Sequence, residues 1–327
     1  MFSGAVNERK PARARNTPDR YRWPSWAKVI LAVVALGSIA ASATFLWRSV
    51  ERGPGPSARV PTVSTVRGGK AETSGPAPAS SSLSTASGSN GGPLLPRDLP
   101  TSAKPLRVPI LMYHYVDATP PPAGPYAAGL TVRTAQFAAQ MNYLAADGYH
   151  PVTLEQIYAA MAGLSPLPPK PVALTFDDGG LDDYTVAYPI LRSHHFVATF
   201  FVITGFVGKP ICMTWSDLQR MQQAGMAVES HTVNHLDLRT LAPARLQDEL
   251  VQSWNSIEKE LGQAPMAFAY PSAAYDPAVI AAVRAAGYRL AVTTHPGKTL
   301  QPSHAYEWPR IRIGPGLSLT GFAKEIK

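Results

Sequence analysis

Two carboxylates stand side by side at the end of an apolar run, Val172-Ala173-Leu174-Thr175-Phe176-Asp177-Asp178-Gly179-Gly180. Two glycines follow at once, so the backbone must turn there. Adjacent like charges repel, and a pair fixed at one strand tip points to unlike roles. A metal ion can hold one as an anion and leave the other free to move a proton. About fifty residues on comes Glu229-Ser230-His231-Thr232-Val233-Asn234-His235. His231 and His235 are four apart, and if a helical turn starts there both imidazoles face one way. Two histidines and one carboxylate make an open metal site, with a position left for water or substrate. Either motif alone is commonplace: Asp-Asp-Gly is an ordinary turn, and a single His-x-x-x-His is incidental. Both after strand-like runs in one domain form a pattern.

The elements that must position these groups alternate. Strands are expected at 108–113, 172–176, 198–203, 227–230, 267–270, 290–292 and 311–313. Helices are expected at 134–147, 154–162, 184–194, 215–224, 243–261, 277–286 and 319–326. Pro243 suits a first helical turn, and Leu246, Leu250, Trp254, Ile257 and Leu261 form the inward stripe behind it. Strands alternating with helices imply a parallel sheet with right-handed crossovers, either a barrel or an open sheet. In both, functional groups collect at the carboxyl ends of the strands.

Charge is unevenly distributed. The 327 residues carry a formal net charge of +8, yet residues 1–106 hold 14 basic against 5 acidic side chains and residues 107–327 hold 16 against 17. A neutral domain argues against nucleic acid as a partner. The basic residues Arg9, Lys10, Arg13, Arg15, Arg20, Arg22 and Lys28 precede Val29–Trp47, nineteen residues without a charge, flanked by Trp23 and Trp26. That length is close to what a bilayer crossing needs, and the positive-inside rule puts the amino terminus in the cytoplasm. The expectation is an uncleaved signal-anchor, with cleavage near Ala41-Ser42-Ala43 as the rival. Both export the rest of the chain. Residues 48–106, rich in Gly, Pro, Ser, Thr and Ala, read as a disordered tether. A single cysteine, Cys212, excludes an intrachain disulfide and reads as a packing residue.

Thr175-Phe176-Asp177-Asp178-Gly179 and His231-Thr232-Val233-Asn234-His235 resemble the first two motifs of the polysaccharide deacetylases, the NodB-homology group or carbohydrate esterase family four. The resemblance extends to Val108-Pro109-Ile110-Leu111-Met112-Tyr113-His114, Met213-Thr214-Trp215 and Phe268-Ala269-Tyr270-Pro271, and covers about residues 107–316. The amino-terminal motif is similar to that of the poly-N-acetylglucosamine deacetylase branch. The resemblance implies an α/β fold, a distorted (β/α)7-type barrel. It implies one divalent metal on Asp178, His231 and His235, with Zn²⁺ expected and Co²⁺, Ni²⁺ or Fe²⁺ also suited to those donors. It gives Asp177 the role of general base, and the backbone N–H of Ser272 that of an oxyanion donor. His114 is the candidate acid for the leaving amine, and His295, in Thr293-Thr294-His295-Pro296-Gly297, its rival. Tyr270 either packs or lines the pocket, and Trp215 is either a sugar platform or the anchor of a helix start. His150, His194, His195 and His304 are read as without function. The implied substrate is an extracytoplasmic N-acetylated polysaccharide. An O-acetyl esterase and a non-catalytic glycan-binding module are the alternatives. The sequence departs from the usual third motif, Arg-x-Pro-Tyr-Gly, with Ala269-Tyr270-Pro271-Ser272-Ala273 in its place. The arginine that would orient Asp177 is therefore missing from its expected position.

Overall fold

The computed structural model describes residues 95–117 and 127–327. The basic segment 1–28, the apolar run 29–47 and the tether as far as residue 94 lie outside the described residues. Among the described residues no helix is long and apolar enough to cross a membrane.

Among the described residues the main sheet is curled and parallel, with eight strands: β1 (Ile110–Tyr113), β2 (His150–Val152), β3 (Pro171–Phe176), β4 (Thr199–Val202), β5 (Ala227–Ser230), β6 (Ala267–Ala269), β7 (Leu290–Val292) and β8 (Ile311–Arg312). Their order is β7-β6-β5-β4-β3-β1-β8, with β2 pairing along the first half of β3. The two ends of the sheet approach across one piece of chain. Trp308 bridges Val292 in β7, and the same segment runs on into β8, which pairs with β1. The barrel expected from the resemblance is thus a curled sheet joined by a single bridge, with one strand more than the seven expected.

The helices follow the sequence pattern closely. Besides an unexpected single turn at Ala127–Leu130, those among the described residues are α1 (Thr134–Ala146), α2 (Leu154–Met161), α3 (Tyr188–Ser193), α4 (Trp215–Gln223), α5 (Pro243–Leu261), α6 (Pro277–Ala285) and α7 (Leu319–Ile326). Local chemistry sets several ends. Thr153 with Gln156 and Thr214 with Asp217 form reciprocal caps at the starts of α2 and α4, and Gly262 ends α5 in a left-handed conformation at φ 70°. The expected single helix 184–194 instead opens with a π-turn at Asp183–Ala187.

The strands sort their side chains with period two. Leu111, Tyr113, Leu174, Phe176, Phe200 and Val202 belong to one buried cluster with Phe137, Met141 and Leu191 of the outer helices. Ile110, Ala173, Phe201, Ala267, Ala269, Leu290 and Val292 belong to a second cluster, which α2 joins through Leu154, Ile157 and Tyr158. Leu95, Leu99, Ala103 and Leu106 also pack on this second cluster, and the Tyr158 hydroxyl donates to the Pro96 and Arg97 carbonyls. The tether expected to run to residue 106 therefore gives way to packed chain at Leu95. Its polar composition hid four apolar side chains that find a face on the domain.

Candidate metal centre and active site

All eight strands run the same way, so their carboxyl ends open on one mouth. Tyr113 pairs with Phe176, which sets His114 level with Asp177 on neighbouring strands. Alternation continues through Ala173, Thr175 and Asp177. The Thr175 hydroxyl and the Asp177 carboxylate both meet Arg310, which lies over the ring of Phe201 of the second cluster. The turn then carries Asp178 the other way. Asp178 has φ 78° and Gly179 φ 75°. Glycine suits this left-handed conformation, and a Cβ on Gly179 would also crowd Val202, standing 3.2 Å from its Cγ1.

Asp178, His231 and His235 converge. Their donor atoms all lie within 4.8 Å of one another. His231 Nε2 is 3.5 Å and His235 Nε2 3.7 Å from the same Asp178 oxygen. Two donors each about 2.0–2.2 Å from a shared tetrahedral ion stand about 3.4 Å apart, so the spacing fits. His231 Nδ1 is 2.8 Å from the Ala269 carbonyl oxygen. That partner must accept, which puts the ring proton on Nδ1 and turns the lone pair of Nε2 toward Asp178. Burial lowers the His231 pKa to about 4 against the pull of Asp177, so the ring is neutral and ready to ligate. One carboxylate and two neutral imidazoles fit a divalent ion.

The loop bearing the histidines is not the helical turn that their spacing suggested. Thr232 has φ 71° and His235 φ 55°, and no helix begins before Leu238. Both rings reach Asp178 because the loop doubles back, with His235 N–H donating to Thr232 Oγ1 at 2.8 Å.

The arginine missing from the third motif is supplied from elsewhere. Arg310 is fully buried, and its two terminal nitrogens donate to the two oxygens of Asp177 at 2.7 Å each. It also donates to Thr175 Oγ1 at 3.1 Å and to the Thr293 carbonyl at 2.9 Å. Burial pushes the Asp177 carboxyl up, but the Arg310 charge and its hydrogen bonds, followed by His231 and His114, hold it well below the ordinary carboxylate range. Asp177 is an anion with a fixed orientation. The signal was present in Trp308-Pro309-Arg310-Ile311-Arg312-Ile313, a cation entering the last strand, but nothing local says which of its two arginines turns inward.

His114 lies among these charges. Burial lowers its pKa against Asp177 and Asp178, and its Nδ1 is buried without a hydrogen-bond partner. His295 is exposed past the end of β7, and its Nδ1 is 3.0 Å from the Tyr275 hydroxyl. Of the two candidate acids, His114 stands beside the carboxylates, and His295 is exposed with its ring on Tyr275. Tyr115, which sequence reading passed over, sends its hydroxyl to the second Asp178 oxygen at 3.4 Å.

Of the two aromatic expectations, that for Tyr270 resolves toward packing. Tyr270 is 1 % exposed, stacks on Tyr275 with ring centroids 4.6 Å apart and donates to the Tyr306 carbonyl at 3.0 Å. It is a core residue and does not line an open pocket. Trp215 is the first residue of α4 and packs, partly buried, against the outer cluster. Ser272 is exposed with φ 51°, three residues beyond the Ala269 carbonyl that holds His231. His150, His194, His195 and His304 are not in the Asp178 group.

Residues 165–291 match the family model described as polysaccharide deacetylase. YxkH of Bacillus subtilis (strain 168), which carries a polysaccharide deacetylase name, is 32% identical over 224 residues, spanning 68% of this chain and 77% of that protein. The poly-beta-1,6-N-acetyl-D-glucosamine N-deacetylase of Escherichia coli (strain K12) is 32% identical over 127 residues, which are 39% of this chain and 18% of that protein. Among solved structures, the Streptococcus pyogenes deacetylase PplD in complex with acetate is 33% identical with a TM-score of 0.64, over 68% of this chain and 100% of that one.

Proposed function

The chain belongs to the polysaccharide deacetylase family and is a hydrolase of amide bonds, and from that premise we propose that it removes N-acetyl groups from an extracytoplasmic polysaccharide, using one divalent ion held by Asp178, His231 and His235. The observation that carries the reading is the meeting of that donor set with a separate, Arg310-held Asp177. Zn²⁺ is the first choice for these donors, and Co²⁺, Ni²⁺ and Fe²⁺ also suit them. Poly-N-acetylglucosamine leads peptidoglycan and chitin-like polymers as substrate, because the amino-terminal motif ending in His114 follows that branch.

When bound, the ion supplies Lewis-acid polarisation of the acetyl carbonyl and makes water a stronger acid. Asp177 takes the proton from the attacking water as the amide carbon becomes tetrahedral. Its bidentate pairing with Arg310 keeps it ionised and aimed before substrate arrives. The Ser272 backbone N–H steadies the developing oxyanion. His114 then delivers a proton to the departing amine, which cannot leave as an anion. The products are acetate and a free amine, and the polymer gains positive charge.

The cell membrane as location, with the amino terminus inside and this domain outside, rests on the basic flank and the uncharged run Val29–Trp47.

Acetate release from a panel of N-acetylated and O-acetylated glycans, before chelation, after chelation and after metal re-addition, tests the function. Release from an N-acetylated polymer that chelation stops and metal restores is the expected result. Release only from O-acetyl esters would reassign the enzyme to ester hydrolysis, and binding without release would leave a glycan-binding module.

A further inference from the structure

The two histidines of the candidate metal centre are held in different ways. His231 follows β5 directly, and its ring is fixed by the Ala269 carbonyl of β6. His235 lies at the far end of a loop with left-handed residues at both ends, Thr232 and His235. Its ring is 3.7 Å from Asp178 and 30% exposed, so its position depends on what holds the loop.

One side of that loop is laced to the neighbouring loop, because Thr204 and Gly205 donate to the carbonyls of Thr232 and Val233 at 3.0 Å each. The other side is held by a single carboxylate. Glu249 of α5 is fully buried. Its Oε2 accepts from the N–H groups of Val233 at 3.1 Å and Asn234 at 2.8 Å, and its Oε1 from Asn234 Nδ2 at 2.8 Å. Arg245, one helical turn back, lies 2.7 Å from Oε1. Successive N–H groups wrapped around one anion make a rigid cradle. Glu249 also interrupts the apolar stripe of its helix, where Leu246, Leu250 and Ile257 are buried with it. A buried charge in such a stripe requires full pairing, and here the pairing is with the loop and with Arg245.

Resting on the metal-dependent reading above, we propose that Glu249 is the positioning residue of the centre. It touches neither ion nor substrate, and sets the metal affinity by fixing the loop that presents His235. Removing it frees His235 while Asp178 and His231 keep their places.

The test is a Co²⁺ titration of the purified chain, followed by visible absorption and calorimetry, with unfolding midpoints measured in chelator. Glu249→Gln keeps the side-chain shape but sets an amide N–H₂ against the donors Asn234 and Arg245. The expected result is a Kd for Co²⁺ weakened roughly 10- to 100-fold, the range for groups that orient metal ligands. The Co²⁺ spectrum should move toward a more hydrated ion. Leu250→Ala, one residue along the same helix, is the control. It lowers the unfolding midpoint but leaves the Kd unchanged. Glu249→Gln with wild-type Kd and spectrum overturns the inference, as does an equal loss of affinity in Leu250→Ala. If Glu249→Gln fails to fold, Asn234→Ala removes one of the contacts, and an unchanged Kd there overturns it likewise. A wild-type chain that binds no Co²⁺ overturns both this inference and the functional reading. A wild-type chain that binds Co²⁺ without releasing acetate sinks the functional reading alone.

Discussion

Arg310 and Asp177 meet through a pair of 2.7 Å hydrogen bonds, each guanidinium nitrogen on its own carboxylate oxygen, with both residues buried. A bidentate pair of this kind fixes the plane of the carboxylate as well as its charge. Removing one member of a buried pair strands the other, at a cost of about 3–5 kcal/mol. Arg310→Gln should therefore lose several kcal/mol in urea unfolding and lose nearly all acetate release. Adding Asp177→Asn to it should recover part of the stability and none of the activity. A double variant no more stable than Arg310→Gln would show that the pair is not coupled.

Asp177→Asn alone separates the base from the metal ligands. The amide cannot take a proton, so kcat should fall by at least about 10²-fold, in the range for lost general base catalysis. Metal content, measured by atomic emission after gel filtration, should stay at the wild-type level because Asp178, His231 and His235 are untouched. Loss of the metal would mean that the two aspartates have exchanged roles.

His114 and His295 can be told apart by leaving group. His114 is the ring beside Asp177 and Asp178, and its Nδ1 has no partner. An amine needs a proton to leave, whereas the phenolate of an aryl acetate does not. His114→Gln should cut turnover of an acetamido sugar by about 10²-fold or more and barely affect an activated aryl ester. His295→Gln should act weakly on both. The reverse pattern would move the acid to His295.

Asp182 gives a pH dependence. Burial raises its carboxyl to about 6, despite a 2.5 Å hydrogen bond from the Val116 N–H. A raised folded pKa means that the proton is bound more tightly in the folded chain. The stability this confers is fully present below pH about 4 and is lost as pH rises through about 6. Its upper size is about 2–3 kcal/mol, reduced because the side chain is only partly buried. In chelator, Asp182→Asn should gain stability relative to wild type between pH 4 and 6 and hold that gain at pH 7. Curves that stay parallel would put the carboxyl at an ordinary pKa.

Much of this was legible from local sequence, for reasons that are themselves local. The period of apolar residues set the strands and helices, because burial of one face depends on neighbours two or three to four positions away. Asp178 and His231 could be singled out because each lies at the end of a strand, and His235 because it sits four residues after His231; parallel strands deliver their ends to one mouth. Glycine at 179 and 180 announced the turn. The tertiary structure decided whatever depends on partners far along the chain. Arg310 replaces a motif arginine from 133 residues away, which no spacing rule could reveal. Tyr270 turned out to be core, since only packing with Tyr275 and Tyr306 tells an inward ring from a pocket ring. The histidine spacing invited a helical turn, and the actual loop is left-handed at both ends because Thr204, Gly205 and Glu249 hold it there. Sequence names the groups that a strand tip presents, whereas their orientation and charge state come from contacts that exist only once the sheet has curled.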